Sequence, residues 1–532
     1  MRSINSARTV YIMSAKIKIC ISLMLVLCLS CAGALACTAI YVGSGLTAGG
    51  DTLLARAEDI SNSYNKLFYK SPAGKHVAGE VYDGCYGFTY TFTKDSYAYT
   101  AFSDDNGDAV AGECPDCGGV HVHTPYEAGG TNEMGVTVSA TETIGCSDAV
   151  YEADPYEDLG IEEAEITTVL LGESASAKEA VELLAGIYDD AGCCGGSGIL
   201  IADDSETWYV ENATGHQYIA LKLSDSMAFA QPNMSIIGLI DLDDSENVVA
   251  SEGLIEVAKQ AGTYVGDEEA NTIDYVASYN GDQEVNERMV NALKYFNAET
   301  ASEEPVPADY TISNVDAEGN IVPMHTGIAP DHAFTVKDVI GYYHISGIGS
   351  NRNLETHIFQ IAAEDSLTDT VEWIAMDDAC YSVFVPYFPM LTTDTYAGYQ
   401  LSTLPSEFTE EPNADAEISY ATTKYKRDES GERVAVEGYV ALPENWADSM
   451  YWTFDALSNL IEAGNADEAQ LAEINAKLEA LQQDCYAAYD DLTVAASDAE
   501  TEADAAQAAT EISSAAAASV HAAAVELVNA IH

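Results

Sequence analysis

The stretch "LACTAIYVGSGLTAGGDTLLARAEDI", residues 35–60, decides how the rest of the chain is read. Its cysteine, Cys37, stands directly after Ala34 and Ala36, an A-x-A pair of small residues. Upstream, residues 1–18 carry Arg2, Arg8, Lys16 and Lys18 and no acid, and Ile19–Leu29 is almost wholly apolar. Basic region, apolar core and small-residue site together read as a secretory signal peptide over residues 1–36. The apolar run is too short for a membrane-spanning helix. Cleavage after Ala36 makes Cys37 the first residue of the mature chain, with a thiol and a free amine on adjacent carbons. Beyond it, "CTAIYVG" reads as a strand and "GLTAGGD" as a turn. The strand carrying "LLARAEDI" is expected to return beside the first.

A thiol attacks an amide carbon only as thiolate, so it needs a base. A terminal α-amine titrates near pH ~7.7–8.0 and can accept the thiol proton. The resulting ammonium can then protonate the leaving amine, which makes one residue both nucleophile and base. Arg56 and Asp59 follow Cys37 on the returning strand. A guanidinium there favours thiolate, and a carboxylate can orient the amine. From spacing alone, a surface Arg–Asp pair of little energetic worth is an equal reading.

Composition bounds the rest. The chain has 532 residues and a formal charge of −66. Without the signal segment, 17 basic residues face 87 acidic ones, a charge of −70. Such a surface repels nucleic acid and anionic lipid. Hydrophobic residues at 47% and 32 tyrosines nevertheless mark a folded chain. No second long apolar run stands out, and no stable membrane span is expected. Export places the protein outside the cell or at its surface. Of twelve cysteines, Cys20, Cys28 and Cys31 leave with the signal. With Cys37 set aside for chemistry, Cys85, Cys114, Cys117, Cys146, Cys193, Cys194, Cys380 and Cys485 are candidates for disulfides.

Residues from Cys37 to about 139 read mostly as strand. Residues 160–190 switch to helical spacing, with Ser176 and Glu179 as a capping signal. Two strands follow, then a helical stretch over 251–300, and three more strands in "LETHIFQIA", "TVEWIAMD" and "YSVFVPYFP". The expected division is a signal peptide over 1–36, a catalytic domain over 37–404 and a helix-rich region over 405–532. The final forty residues are an Ala-rich helix whose apolar stripe promises little burial, and it is expected to be exposed or loosely docked.

Several stretches in order resemble one family. "ACTAIYVGSGLTAGGDTLLARAEDI" is similar to the start of the dipeptidase A family of N-terminal-nucleophile cysteine peptidases, with its Cys-Thr opening, glycine/aspartate turn and Arg-x-x-Asp element. "EAGGTNEMGVTVSATET", "AQPNMSIIGLIDLDDSENVVAS", "SNRNLETHIFQI", "EWIAMDDACYSVFVPYF" and "YWTFDALSNL" resemble later family segments. The resemblance covers most of 37–460. It implies an α+β fold, a four-layer αββα sandwich, here with a helical C-terminal extension. It also implies roles: Cys37 as nucleophile with its own amine as base, Arg56 and Asp59 lining the centre, Asn132 donating to the oxyanion, and Asn233 at the same site. Arg352 is a candidate clamp for a substrate carboxylate, because a guanidinium fork binds carboxylate bidentately. For either asparagine the plainer role is a turn residue. The implied partner is a small peptide substrate, with no cofactor; a homo-oligomer is left open.

"CPDCGGVHVH" brings Cys114, Cys117, His121 and His123 together. The spacing is tighter than a zinc finger and export favours a disulfide, so no metal is expected. "GGSG" lacks the lysine of a phosphate loop. Three functions remain: a cysteine dipeptidase, an N-acyl amide hydrolase of the same chemistry, and a non-catalytic lipid-anchored or secreted binding protein. A lipid on Cys37 would consume both thiol and amine.

Overall fold

Strand β1 (Thr38–Val42) begins one residue after Cys37, and β2 (Thr52–Asp59) returns antiparallel beside it with Ala39 opposite Arg56. A computed structural model of the chain describes residues 37–59, 65–84, 87–105, 112–113, 120–121, 126–142, 144–280, 288, 292, 295–296, 332–345, 347–363, 366–403, 408–413, 415–427 and 433–532. The expected signal segment lies outside these residues, as do Cys85, Cys114, Cys117 and His123.

After β2 come β3 (Lys66–Ser71), β4 (Tyr99–Asp104), β5 (Glu127–Thr131) and β6 (Thr137–Glu142). Helices α1 (Asp148–Ala153), α2 (Glu163–Glu173) and α3 (Ala177–Ala191) follow, then β7 (Ser197–Ala202), β8 (Thr207–Asn212), β9 (Tyr218–Lys222), β10 (Ala228–Gln231) and β11 (Val248–Ala250). Next are α4 (Leu254–Ala261), α5 (Tyr275–Tyr279), α6 (Val336–Tyr343), β12 (Asn353–Ile361), β13 (Thr370–Met376) and β14 (Val385–Tyr387). The chain closes with a hairpin, β15 (Ser419–Arg427) and β16 (Arg433–Ala441), and helices α7 (Met450–Glu462), α8 (Glu468–Asp498) and α9 (Glu502–Ile531).

Two antiparallel sheets result. One is ordered β10-β1-β2-β12-β13-β14, the other β11-β9-β8-β7-β6-β5-β4-β3. Side chains alternate across each strand, so each sheet presents two faces to bury. Tyr41, Leu54 and Phe359 of the first sheet meet Phe68, Phe102 and Leu200 of the second in a shared core. Ile40, Leu53, Ala55 and Ile358, on the opposite face, pack against Val339, Ile340 and Tyr343 of α6. Val138, Ile199 and Val210 likewise pack against Ile166, Leu170 and Leu184 of α2 and α3. Three apolar layers separate four structural ones, the expected αββα sandwich.

Ser176 caps α3, accepting from the Glu179 N–H at 3.2 Å as its spacing predicts. Residues 251–280 differ from the helical expectation. Gly262, at φ 77°, ends α4 in the left-handed region, and short strands intervene before α5. The C-terminal end also differs. Cys37–His532 forms one compact unit, and Tyr420, Val440, Trp452, Leu478 and Ala517 share the inter-sheet core, so the helix-rich region packs into the same body as the sandwich. Helix α9 is docked along its length. Ala505, Ala509, Ala517, Ala524 and Val528 line one face and are buried. Small side chains let its backbone approach α7 and α8 closely, and each buried methyl still contributes about 0.8 kcal/mol. It is the one described helix long and apolar enough to cross a membrane, but that buried stripe packs inside the protein.

Candidate active site

The register of β1 and β2 builds the site. With Thr38 opposite Ala57, Cys37 falls opposite Glu58, and Asp59 lies one step further along β2. Side chains of Cys37, Ala39, Arg56 and Glu58 share the inward face. A freed α-amine on Cys37 would therefore stand near Asp59, while the thiol points into the sandwich.

Cys37 is 8% exposed and Arg56 1%. Arg56 Nη2 donates to Cys37 Sγ at 3.4 Å and to Glu163 Oε1 at 2.8 Å, while Nη1 reaches the Ala128 carbonyl at 3.4 Å. Burial works against charge on Arg56, yet Cys37, Glu163, Glu58 and Glu355 hold it protonated. Burial pushes the Cys37 thiol up; Arg56 is the largest influence drawing it back, and Glu163 pushes it up again. Glu58 is ion-paired with buried Lys66 at 2.6 Å. Deeper in, His357 Nδ1 is 3.0 Å from Glu355 and Nε2 is 2.8 Å from Ser139 Oγ, a polar bridge between the two sheets.

Asp59 takes a hydrogen bond from Asn353 Nδ2 and lies 3.7 Å from Arg288. Burial raises its carboxyl to about 6, against the pull of Arg288, Asn353, Arg352 and Arg56. Arg288 Nη1 donates to the Cys37 carbonyl at 2.5 Å and to Thr38 Oγ1 at 2.8 Å, and Nη2 to Asn233 Oδ1 at 3.3 Å. Asn233 holds φ 50°, a region few residues other than glycine adopt. A cation on its oxygen fixes the amide orientation and turns Nδ2 the other way, toward Thr141 Oγ1 at 3.5 Å. That contact is long and weak.

Asn132 is not part of this group. Its Nδ2 protons go to the Leu171 and Ser174 carbonyls at 2.9 and 2.8 Å, and its Oδ1 accepts from Met134 and Val136 at 3.0 Å. It closes the β5–β6 turn and ties it to the end of α2. It lies four residues beyond Ala128, roughly 13 Å along the strand from Arg56's contact. The plainer turn reading describes this asparagine, and its amide has no proton left for an oxyanion.

Thus Cys37, Arg56, Asp59, Asn233 and Arg352 converge and Asn132 does not. Arg288 and Glu163 belong to the group and were not foreseen. A signal for Arg288 existed: between residues 37 and 404 the sequence holds three arginines, 56, 288 and 352, amid a large excess of acids. All three bear electrostatically on Asp59, Arg288 from 3.7 Å. Glu163 carried no such mark, because acids crowd the start of α2 as at many helix N-termini.

The expected disulfides do not form among the described cysteines: Cys37, Cys146, Cys193, Cys380 and Cys485 are free thiols. Cys193 accepts from Asn212 at 2.8 Å rather than pairing with its neighbour. No group of three or more metal-ligating side chains occurs among the described residues. Cys114, Cys117 and His123, from the proposed zinc-or-disulfide motif, fall outside them.

Comparison with known proteins adds an independent line. The profile of peptidase family C69 matches residues 36–411. A probable dipeptidase B of Streptococcus pyogenes serotype M1 is 36% identical over 230 residues, and the match spans 43% of each chain. A probable dipeptidase of Salmonella dublin is 29% identical over 374 residues, covering 66% of this chain and 81% of that one. A dipeptidase of Bifidobacterium longum is 24% identical, covering 68% and 72%. Among solved structures, penicillin V acylase of Agrobacterium tumefaciens is a distant likeness, at 14% identity and TM-score 0.31 over 66% of this chain and 85% of that one.

Proposed function

Because this chain belongs to peptidase family C69, we propose that it is an exported cysteine dipeptidase whose nucleophile is the N-terminal thiol of Cys37. In the unprocessed chain the Cys37 nitrogen is an amide and can accept no proton. Removal of residues 1–36 converts it to an amine beside Asp59. The observation that carries this reading is the placement of Cys37 with Arg56 in contact with its sulfur and Asp59 close enough on the paired strand to bear on its charge.

The amine accepts the thiol proton, and the thiolate attacks the scissile carbonyl carbon. Charge moves to the carbonyl oxygen, where the Asn233 N–H is the side-chain donor. Asp59 and Arg288 hold the new ammonium and the Cys37 backbone in place. As the tetrahedral intermediate collapses, the C–N bond breaks and the ammonium proton passes to the leaving amine. The product is a thioester on Cys37. Water, losing its proton to the same α-amine, attacks the thioester carbon. The carboxylic acid leaves and the thiol is restored.

A substrate panel tests this. The reading expects hydrolysis of free dipeptides by protein that begins at Cys37, and loss of that hydrolysis in Cys37→Ala. Preference for N-acyl amino acids over dipeptides would instead assign the N-acyl amide hydrolase. Full function in Cys37→Ala would leave the binding protein.

A further inference from the structure

Arginine 352 is the one arginine of the three around Asp59 whose guanidinium makes no hydrogen bond or ion pair with a described residue. Arg56 is engaged by Glu163, Ala128 and Cys37. Arg288 is engaged by Cys37, Thr38, Asn233 and Asp59. The Nε of Arg352 is buried without a partner, although the side chain as a whole is only half-buried. A buried N–H without an acceptor is costly, and in a chain with 87 acids an unpaired guanidinium is out of place.

Its surroundings hold it still. The next residue, Asn353, accepts from the Ser350 and Ala379 N–H groups at 2.9 and 3.2 Å and donates to Asp59. The preceding residue, Asn351, donates to Glu462 at the end of α7. Arg352 therefore sits in a turn pinned on both sides, one residue from the anchor of Asp59. It is close enough to favour the Asp59 carboxylate and to oppose the charge of Arg288. A partly buried guanidinium with an empty donor, rooted in that pinned turn, suits a planar carboxylate.

We propose that Arg352 binds the α-carboxylate of the residue that leaves, and so restricts the enzyme to peptides whose scissile bond is one residue from a free C-terminus. This rests on the dipeptidase reading above and names the feature of the substrate that the site selects. The clamp acts on binding, with no covalent step of its own. In a chain one residue longer the carboxylate is displaced by roughly 3.3–3.6 Å, beyond hydrogen-bond reach of the same guanidinium.

The test compares a dipeptide with its C-terminal amide, for protein beginning at Cys37 and for its Arg352→Met and Arg352→Lys variants. It is run at pH 8, where Asp59 is ionised in all three. Wild type is expected to favour the free dipeptide. Arg352→Met should lose roughly 10- to 100-fold in kcat/KM on the dipeptide, mainly through KM, and lose far less on the amide, so that the preference for the free dipeptide collapses. Arg352→Lys should recover part of the preference, because charge remains and the fork is lost. A variant that loses both substrates equally would show a structural role and overturn the clamp. Wild type that cleaves the amide as well as the dipeptide would overturn it too. Wild type that cleaves neither substrate would overturn the dipeptidase reading, and the clamp with it.

Discussion

Arg56 offers one nitrogen, Nη2, to two partners at once: Cys37 Sγ at 3.4 Å and Glu163 Oε1 at 2.8 Å. The shorter contact is to the carboxylate, so the thiol shares the guanidinium with a second, negative partner that acts on it in the opposite sense. Burial and Glu163 both hold the thiol protonated, against the pull of Arg56. With Glu163 present, the thiol keeps its proton until the base takes it.

Replacing Glu163 by Gln removes a negative charge that raises the thiol. The ionisation midpoint of Cys37 should move to lower pH. The rate of iodoacetamide alkylation against pH measures it directly. An unmoved midpoint would assign Glu163 to packing alone.

Asn233→Leu removes the side-chain donor proposed for the oxyanion. Loss of one such donor costs about 2.7–4 kcal/mol, so kcat should fall by roughly 10²–10³ with little change in KM. Steady-state kinetics on a dipeptide decides it. A change confined to KM would place Asn233 in substrate binding instead.

For Asn132 the expectation is reversed. Its four hydrogen bonds, three of them buried, close the β5–β6 turn and fasten it to the end of α2. Asn132→Ala leaves buried carbonyls and N–H groups unanswered and should cost on the order of 3 kcal/mol. Thermal unfolding should show the loss, while kcat of the folded protein stays within a few-fold. A stable variant with kcat down by two orders of magnitude would restore Asn132 to the oxyanion site.

Asp59, buried and raised to about 6, gives a pH signature. Above that pH its carboxylate can hold the Cys37 ammonium; below it the carboxyl is neutral and cannot. The acid limb of kcat/KM, already falling as the α-amine protonates, should steepen below about pH 6. Asn353 favours the carboxylate by its hydrogen bond, so Asn353→Leu should move that break to higher pH. Stability follows the same sign. The folded carboxyl binds its proton more tightly than an unfolded one near ~3.9, so Asp59 removes stability as pH rises from about 4 to about 6. A break that stays put in Asn353→Leu would contradict the role given to this pair.

Much of this site could be read from residues that are neighbours in sequence. Cys37, Arg56 and Asp59 lie on two strands joined by one turn, and alternation alone puts the first two on a common face. The layering was legible for the same reason, since strand periodicity and the Ser176 cap are local properties. Arg288 and Glu163 arrive over separations of 251 and 107 residues, and no local pattern marks such contacts. Asn132 misled because an asparagine before a glycine turn has the same sequence whether its amide faces a substrate or its own backbone. The alanine stripe of α9 misled differently. Small side chains lower the apolar signal, yet they let helices approach closely enough to bury it.

The central claim is tested most directly by the mass of the N-terminal peptide from fully active protein. The account predicts a peptide beginning at Cys37, with free thiol and free amine. Full dipeptidase activity in protein that retains residues before Cys37, or carries an acyl group on it, would contradict the account.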